Sequence, residues 1–405
     1  HARGALEQLA LGRSHRASLL HRSRICPAGL HIVASRGTRA EMKLPTHPLA
    51  HLPRWAALAL LALTLLGSAW NVLALDTRDQ AQRSDIAERT ARGERPDMDL
   101  YRAINARVAA GESYHAAAAA EHREFAMPTS PFVTVRTPVL AWTSAWWGAD
   151  GWRTIAALLW GANMLAWFNA LRADGMGRAL AGGALAGVFG MVAFIPDIAF
   201  SHDILAGLML SLALALSAGR AWPLALLLAV AAILLRELAL PFLLAWGAIA
   251  LAARERHKAL AIGAALLVVA LALAGHAWAV AAVRLPSDFV SPGWSGFMGP
   301  ALPLYGIHVT TLLHLLPTLI AGPLAVLALL GWLGAGKPRG LFAALWFTGF
   351  LTAVALFARQ ENFYWMGLFV PAYGVGLALV PRALVDLAGA VRQPRLARSP
   401  TRVSQ

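Results

Sequence analysis

The chain has 405 residues, of which 58% are hydrophobic and only 14% charged. So little polar side chain cannot cover a soluble domain of this size, which excludes that class and implies an integral membrane protein. The formal net charge of +14 then reflects orientation and contact with anionic lipid, and no nucleic-acid partner is expected.

Residues 1–41 hold seven Arg and two Glu without apolar periodicity. This basic leader is expected to be disordered or foreign to the genuine protein, with Met42 a natural start and 42–405 a single transmembrane domain. Setting the leader aside leaves 28 basic against 19 acidic residues. Cys26, the only cysteine, falls within it, so the rest offers neither a disulfide framework nor a thiolate metal site.

A spanning helix needs about 20 apolar residues. Apolar runs predict an all-α, polytopic fold of about ten spans, near 55–75, 153–171, 179–196, 204–219, 221–236, 239–253, 259–282, 309–333, 340–357 and 363–381. Alternate connections carry Arg172 and Arg178, then Arg220, then Arg254, Arg256 and Lys258, then Lys337 and Arg339, with Arg382 and Arg392 in the tail. By the positive-inside rule both termini are cytoplasmic, and the polar interval 76–136 is the first outer loop.

Within that loop Leu100, Ile104 and Val108 recur at four-residue spacing opposite Arg102, Asn105 and Arg107. The pattern predicts an amphipathic helix lying on the membrane and stopping at Gly111. A second helix is expected from Ser113 to about Phe125, before Pro128. The stretch Val139 to Trp147 is too short to span, and its Trp142, Trp146 and Trp147 suit the headgroup layer.

Polar residues gather at the outer ends of the spans: Asp97, Asp99, His115, His122 and Arg136, then Asp197, His202 and Asp203, then Arg236 and Glu237, then Arg284, Asp288 and His308, and finally Arg359, Glu361 and Asn362. Carboxylates there can move protons, and arginines can hold a phosphate. Each also has a plainer reading. Asp97 and Asp99 suit a helix N-cap, and His202–Asp203 reads as a polar turn. Arg236 and Glu237 interrupt the apolar run Ala231–Trp246, so they need a partner or a cavity. No His/Cys cluster has metal-ligand spacing.

The segments Pro96 to Arg102, Gly111 to Tyr114, Met127–Pro128 and Val135 to Trp142 together resemble the GT-C membrane glycosyltransferases, in the polyprenol-phosphate-sugar-dependent, mannosyltransferase-like branch. There an Asp stands four residues before a Tyr, and a Gly-x-x-Tyr and a Pro-Leu stretch follow. The resemblance implies that Asp97, four residues before Tyr101, is the catalytic carboxylate and Asp99 the second acid of the motif. Substrate would meet Tyr101, Tyr114, Arg136, His202, Asp203, Arg236, Glu237, Arg359, Glu361 and Asn362. The implied reaction moves a sugar from a polyprenyl-phosphate donor to a hydroxyl of a glycan, lipid or protein acceptor, on the outer face of a bacterial inner membrane. A divalent cation at Asp97 and Asp99 is compatible with this chemistry and not required by it.

Two other readings compete. A transporter or flippase of a lipid-linked saccharide would use the same arginines, but such proteins show internal repeats and broken midplane helices, and no repeat is visible. A non-catalytic membrane assembly subunit predicts that activity survives changes at Asp97 and Asp99.

Overall fold

The computed structural model describes residues 45–93, 95, 97–195 and 201–392. The leader 1–41, Met42, Asp197 and the tail beyond Arg392 lie outside the described residues, as does the side chain of Asp97. Among the described residues every regular element is a helix, and one isolated bridge joins Ser130 and Val290. Six helices are long and apolar enough to cross a membrane, and four shorter apolar helices of 10–17 residues accompany them.

The first helix, α1, runs from Arg54 to Ala91, 38 residues, or roughly 57 Å at about 1.5 Å per residue. A hydrocarbon core is about 30 Å thick, so the C-terminal part of α1 projects beyond it. The expected loop from residue 76 therefore begins as helix. Helices α2 (Asp97–Ala109) and α3 (Tyr114–Glu124) follow as anticipated. Their apolar faces do not lie on lipid, however. Leu100, Ile104 and Val108 are buried with Tyr114 and Ala117 against Val135, Ala141 and Val280. Tertiary packing absorbs the stripe that suggested a membrane surface.

Helix α4 (Val139–Leu171) breaks at Gly148, whose φ of 67° and ψ of −174° separate the tryptophan-rich first turns from the spanning part. Only glycine adopts that conformation without strain. Then come α5 (Met176–Gly190), α6 (His202–Leu216), α7 (Trp222–Leu235), α8 (Leu240–Ala252) and α9 (Arg256–Val283). Helix α6 is buried along nearly its whole length, which suits an apolar helix enclosed by protein on all sides. Asn163 of α4 donates to the Leu208 carbonyl, and Trp167 donates to the Ser211 hydroxyl, so α4 and α6 are joined by polar groups in an apolar setting.

Two expected spans are interrupted. The run 309–333 is divided between α10 (Ala301–Val309), a 3-10 turn at Leu312–Leu315, and α11 (Thr318–Leu333). Thr310 and Thr311 turn their hydroxyls back onto the carbonyls of Gly306 and Ile307, and Pro317 precedes α11. After α12 (Lys337–Phe357), residues 360–369 form a 3-10 helix where a span from 363 was expected. Pro371 lacks the N–H that would carry a helix through, and the chain restarts as α13 (Ala372–Val375) and α14 (Val380–Arg392).

The 3-10 segment lies against α6 because two glycines meet. A Cβ at Gly207 would stand 2.1 Å from the Gly367 carbonyl oxygen, and a Cβ at Gly367 would stand 3.3 Å from the Asp203 Cβ. That close approach brings the 359–364 turn beside Asp203 at one end of the bundle. At the other end, where α6 and α8 finish and α12 begins, Lys337 pairs with Asp174 at 3.2 Å and Lys258 with Glu255 at 2.9 Å.

Candidate active site

Helix α7 ends at Arg236, whose extended backbone (φ −148°, ψ 105°) turns the chain into Glu237 and then α8. The arginine is 1% exposed, and an isolated buried guanidinium would be prohibitively costly. Its Nε donates to Asp203 Oδ1 at 2.8 Å and its Nη1 to Glu237 Oε1. The same Glu237 oxygen lies 3.7 Å from Arg136 Nη1. Two arginines and two carboxylates thus form one buried, formally neutral group, built from α6, the α7–α8 break and the segment before α4.

The two arginines are not equally satisfied. Arg236 has a carboxylate on each side. Among the described residues the polar partners of the Arg136 side chain are Glu237 and, at 3.4 Å, the Val133 carbonyl, and its Nε is buried without a hydrogen-bond partner. The Arg136 carbonyl is held by the Tyr114 hydroxyl. Burial pushes the Tyr114 phenol well above its ordinary range, with the nearby Tyr101 adding to it, so it stays a neutral donor.

Two cavities meet at Arg136. One, of about 400 Å³, is polar and cationic: five arginines (Arg89, Arg92, Arg136, Arg236 and Arg359) line it against two carboxylates, Asp85 and Glu361. The other, of about 290 Å³, has largely apolar walls including Val192, Ile204, Val309 and Phe363, with His202 and Asp203 at one side. Tyr101, Arg136 and Tyr364 line both. The Tyr101 ring meets His202 edge-on at 4.9 Å and lies under the Arg136 guanidinium at 5.9 Å.

The remaining expected residues divide. Arg359 and Glu361 line the polar cavity and pair at 3.1 Å, while Asn362 is buried and accepts the Arg359 backbone N–H at 3.0 Å, fixing the turn. Asp99 lines neither cavity and pairs with Arg102 at 2.6 Å on the surface. Asp97 opens α2 one turn before Tyr101, so the two positions share a helix face, and the next residue, Met98, lines the apolar cavity.

Several contributors escaped the sequence reading. Asp85, Arg89 and Arg92 come from the projecting end of α1, and their i, i+4, i+7 spacing was the available signal. His122, by contrast, was expected among the outer-rim polar residues, and it lines the polar cavity. Its Nδ1 lies 2.8 Å from the Pro128 carbonyl and must donate, which leaves Nε2 as an acceptor without a hydrogen-bond partner. Burial pushes this histidine down to about 4. Trp294 and Tyr364 complete the wall. Among the described residues no group of three or more His, Cys, Asp or Glu converges as a metal site. Compared with family models, curated proteins and solved structures, the chain matches none.

Proposed function

We propose that the protein is a membrane glycosyltransferase that moves a sugar from a polyprenyl-phosphate donor to an acceptor hydroxyl. The observation that carries this reading is Arg136, a buried and incompletely paired guanidinium between a cationic cavity and an apolar one. A lipid-linked phosphate needs that combination: an apolar space for the first isoprene units, a cation at the phosphate, and polar room for the sugar. Arg136, Arg236 and Arg359 would stabilise the departing phosphate. Asp97, one turn before Tyr101, would take the acceptor proton. Asp99, occupied by Arg102 away from both cavities, is the weaker choice for that role.

In this reading the membrane is crossed ten times, by the six long helices and the four short ones. The basic connections, gathered at the end opposite Arg136, face the cytoplasm, so the donor is met on the outer face, where lipid-linked rather than nucleotide-linked sugars occur.

The test uses the full chain in proteoliposomes with polyprenyl-phosphate hexoses bearing a radiolabelled sugar. Asp97→Asn should lower transfer by about 10² to 10⁴ while melting stays near wild type, because asparagine is nearly isosteric with aspartate and even the loss of a cap costs only about 1 kcal/mol. Arg136→Gln should raise the donor KM. Full activity in the Asp97→Asn, Asp99→Asn double variant would refute the reading.

A further inference from the structure

At the basic end of the bundle, opposite Arg136, a third cavity of about 250 Å³ opens among the ends of α4, α6, α8, α11, α12 and α14. Four cations line it, Lys258, Lys337, Arg339 and Arg382, against two carboxylates, Asp174 and Glu255. Those carboxylates are already used by Lys337 and Lys258. Arg339 donates to the backbone carbonyls of Ala170 at 2.6 Å and, more weakly, Ala215 at 3.4 Å, and its guanidinium lies over the Trp167 ring at 5.9 Å. Arg382 donates to the Thr46 carbonyl, and its Nε is buried without a partner. Among the described residues the cavity therefore carries two guanidinium charges that no carboxylate within 4 Å answers, beside the aromatic rings of Trp246, Trp332 and Phe342.

We infer that this cavity binds the phosphate of an anionic lipid headgroup. Two planar guanidinium groups suit a phosphate better than a monovalent inorganic anion. The aromatic rings and the position between helix ends suit a headgroup entering from the bilayer. The inference is independent of the sugar-transfer chemistry, since none of these residues lines the cavities around Arg136.

The experiment titrates the purified full chain in neutral detergent with dioctanoyl phosphatidylglycerol, dioctanoyl phosphatidylcholine or inorganic phosphate, reading bound lipid by native mass spectrometry and protection by thermal melting. The glycerol lipid should bind and protect, and the other two should not. Lys337→Gln with Arg382→Gln should weaken that binding about 30-fold, taking roughly 1 kcal/mol per basic side chain and about 1.4 kcal/mol per tenfold. The Lys337 side chain is half-exposed, and the variant's melting without lipid confirms that it folds. Arg220→Gln, an exposed charge at the same end outside the cavity, should bind as wild type does. Equal weakening by Arg220→Gln would overturn the site in favour of diffuse attraction. Equal protection by inorganic phosphate would overturn the lipid assignment, and unchanged binding in the double variant would overturn both.

Discussion

The buried group around Arg236 makes a prediction about stability that does not depend on what the protein does. As built, Arg136 and Arg236 balance Asp203 and Glu237. Asp203→Leu leaves two guanidinium groups sharing one carboxylate, a net charge of +1 in a space where Arg236 is 1% exposed. Arg236→Met leaves two carboxylates facing Arg136 alone, a net charge of −1. Removing one member of a buried pair costs about 3–5 kcal/mol, whereas replacing both by apolar residues of similar volume is often neutral. The double variant should therefore be more stable than either single one, and the cycle should close with a coupling of about 3 kcal/mol or more. Chemical unfolding of the four proteins in mixed micelles measures it. Additive penalties, with the double variant the least stable of the four, would refute a direct energetic coupling between Asp203 and Arg236.

Three further outcomes are expected. Gly207→Ala would drive a Cβ to 2.1 Å from one backbone oxygen and 2.8 Å from another, neither free to move, so melting should fall by an overpacking cost of about 1–3 kcal/mol or more. Gly161→Ala, with nothing within 4 Å of its Cβ, should be tolerated. His122 is pushed down to about 4 by burial, so the unfolded chain binds the extra proton first. Its contribution to stability is complete above about pH 6.5 and is lost as pH falls toward about 4. His122→Gln should flatten the stability–pH curve in that window by up to one proton, and an unchanged slope would contradict the assignment. With Cys26→Ser as background, an impermeant maleimide applied from outside should label Ser84→Cys and spare Arg256→Cys; the reverse result would invert the orientation.

What the sequence disclosed, and what it withheld, follows from the range over which each signal acts. Local signals were readable: the Leu100–Ile104–Val108 stripe did become a helix, and the tryptophan-rich stretch Val139–Trp147 is set off from the rest of α4, by a kink at Gly148. The stripe's destination was not readable, because one apolar face serves equally for lipid and for protein. Arg236 was legible for a different reason. A charge inside an apolar run demands a partner, and the structure supplies Asp203, 33 positions away. Arg136 was named only as one of several outer cations, with no comparable demand behind it, and its place between the two cavities emerges when Tyr101, Glu237 and Tyr364 close around it. The register of the 359–364 turn was less legible still. It depends on Gly207 meeting Gly367 across 160 positions, and a glycine chosen for the absence of a side chain leaves no pattern to read. Contacts made by missing atoms are invisible in one sequence. The site is therefore legible where it is costly, at the buried charges, and illegible where it is cheap, at the glycines that let the costly groups approach.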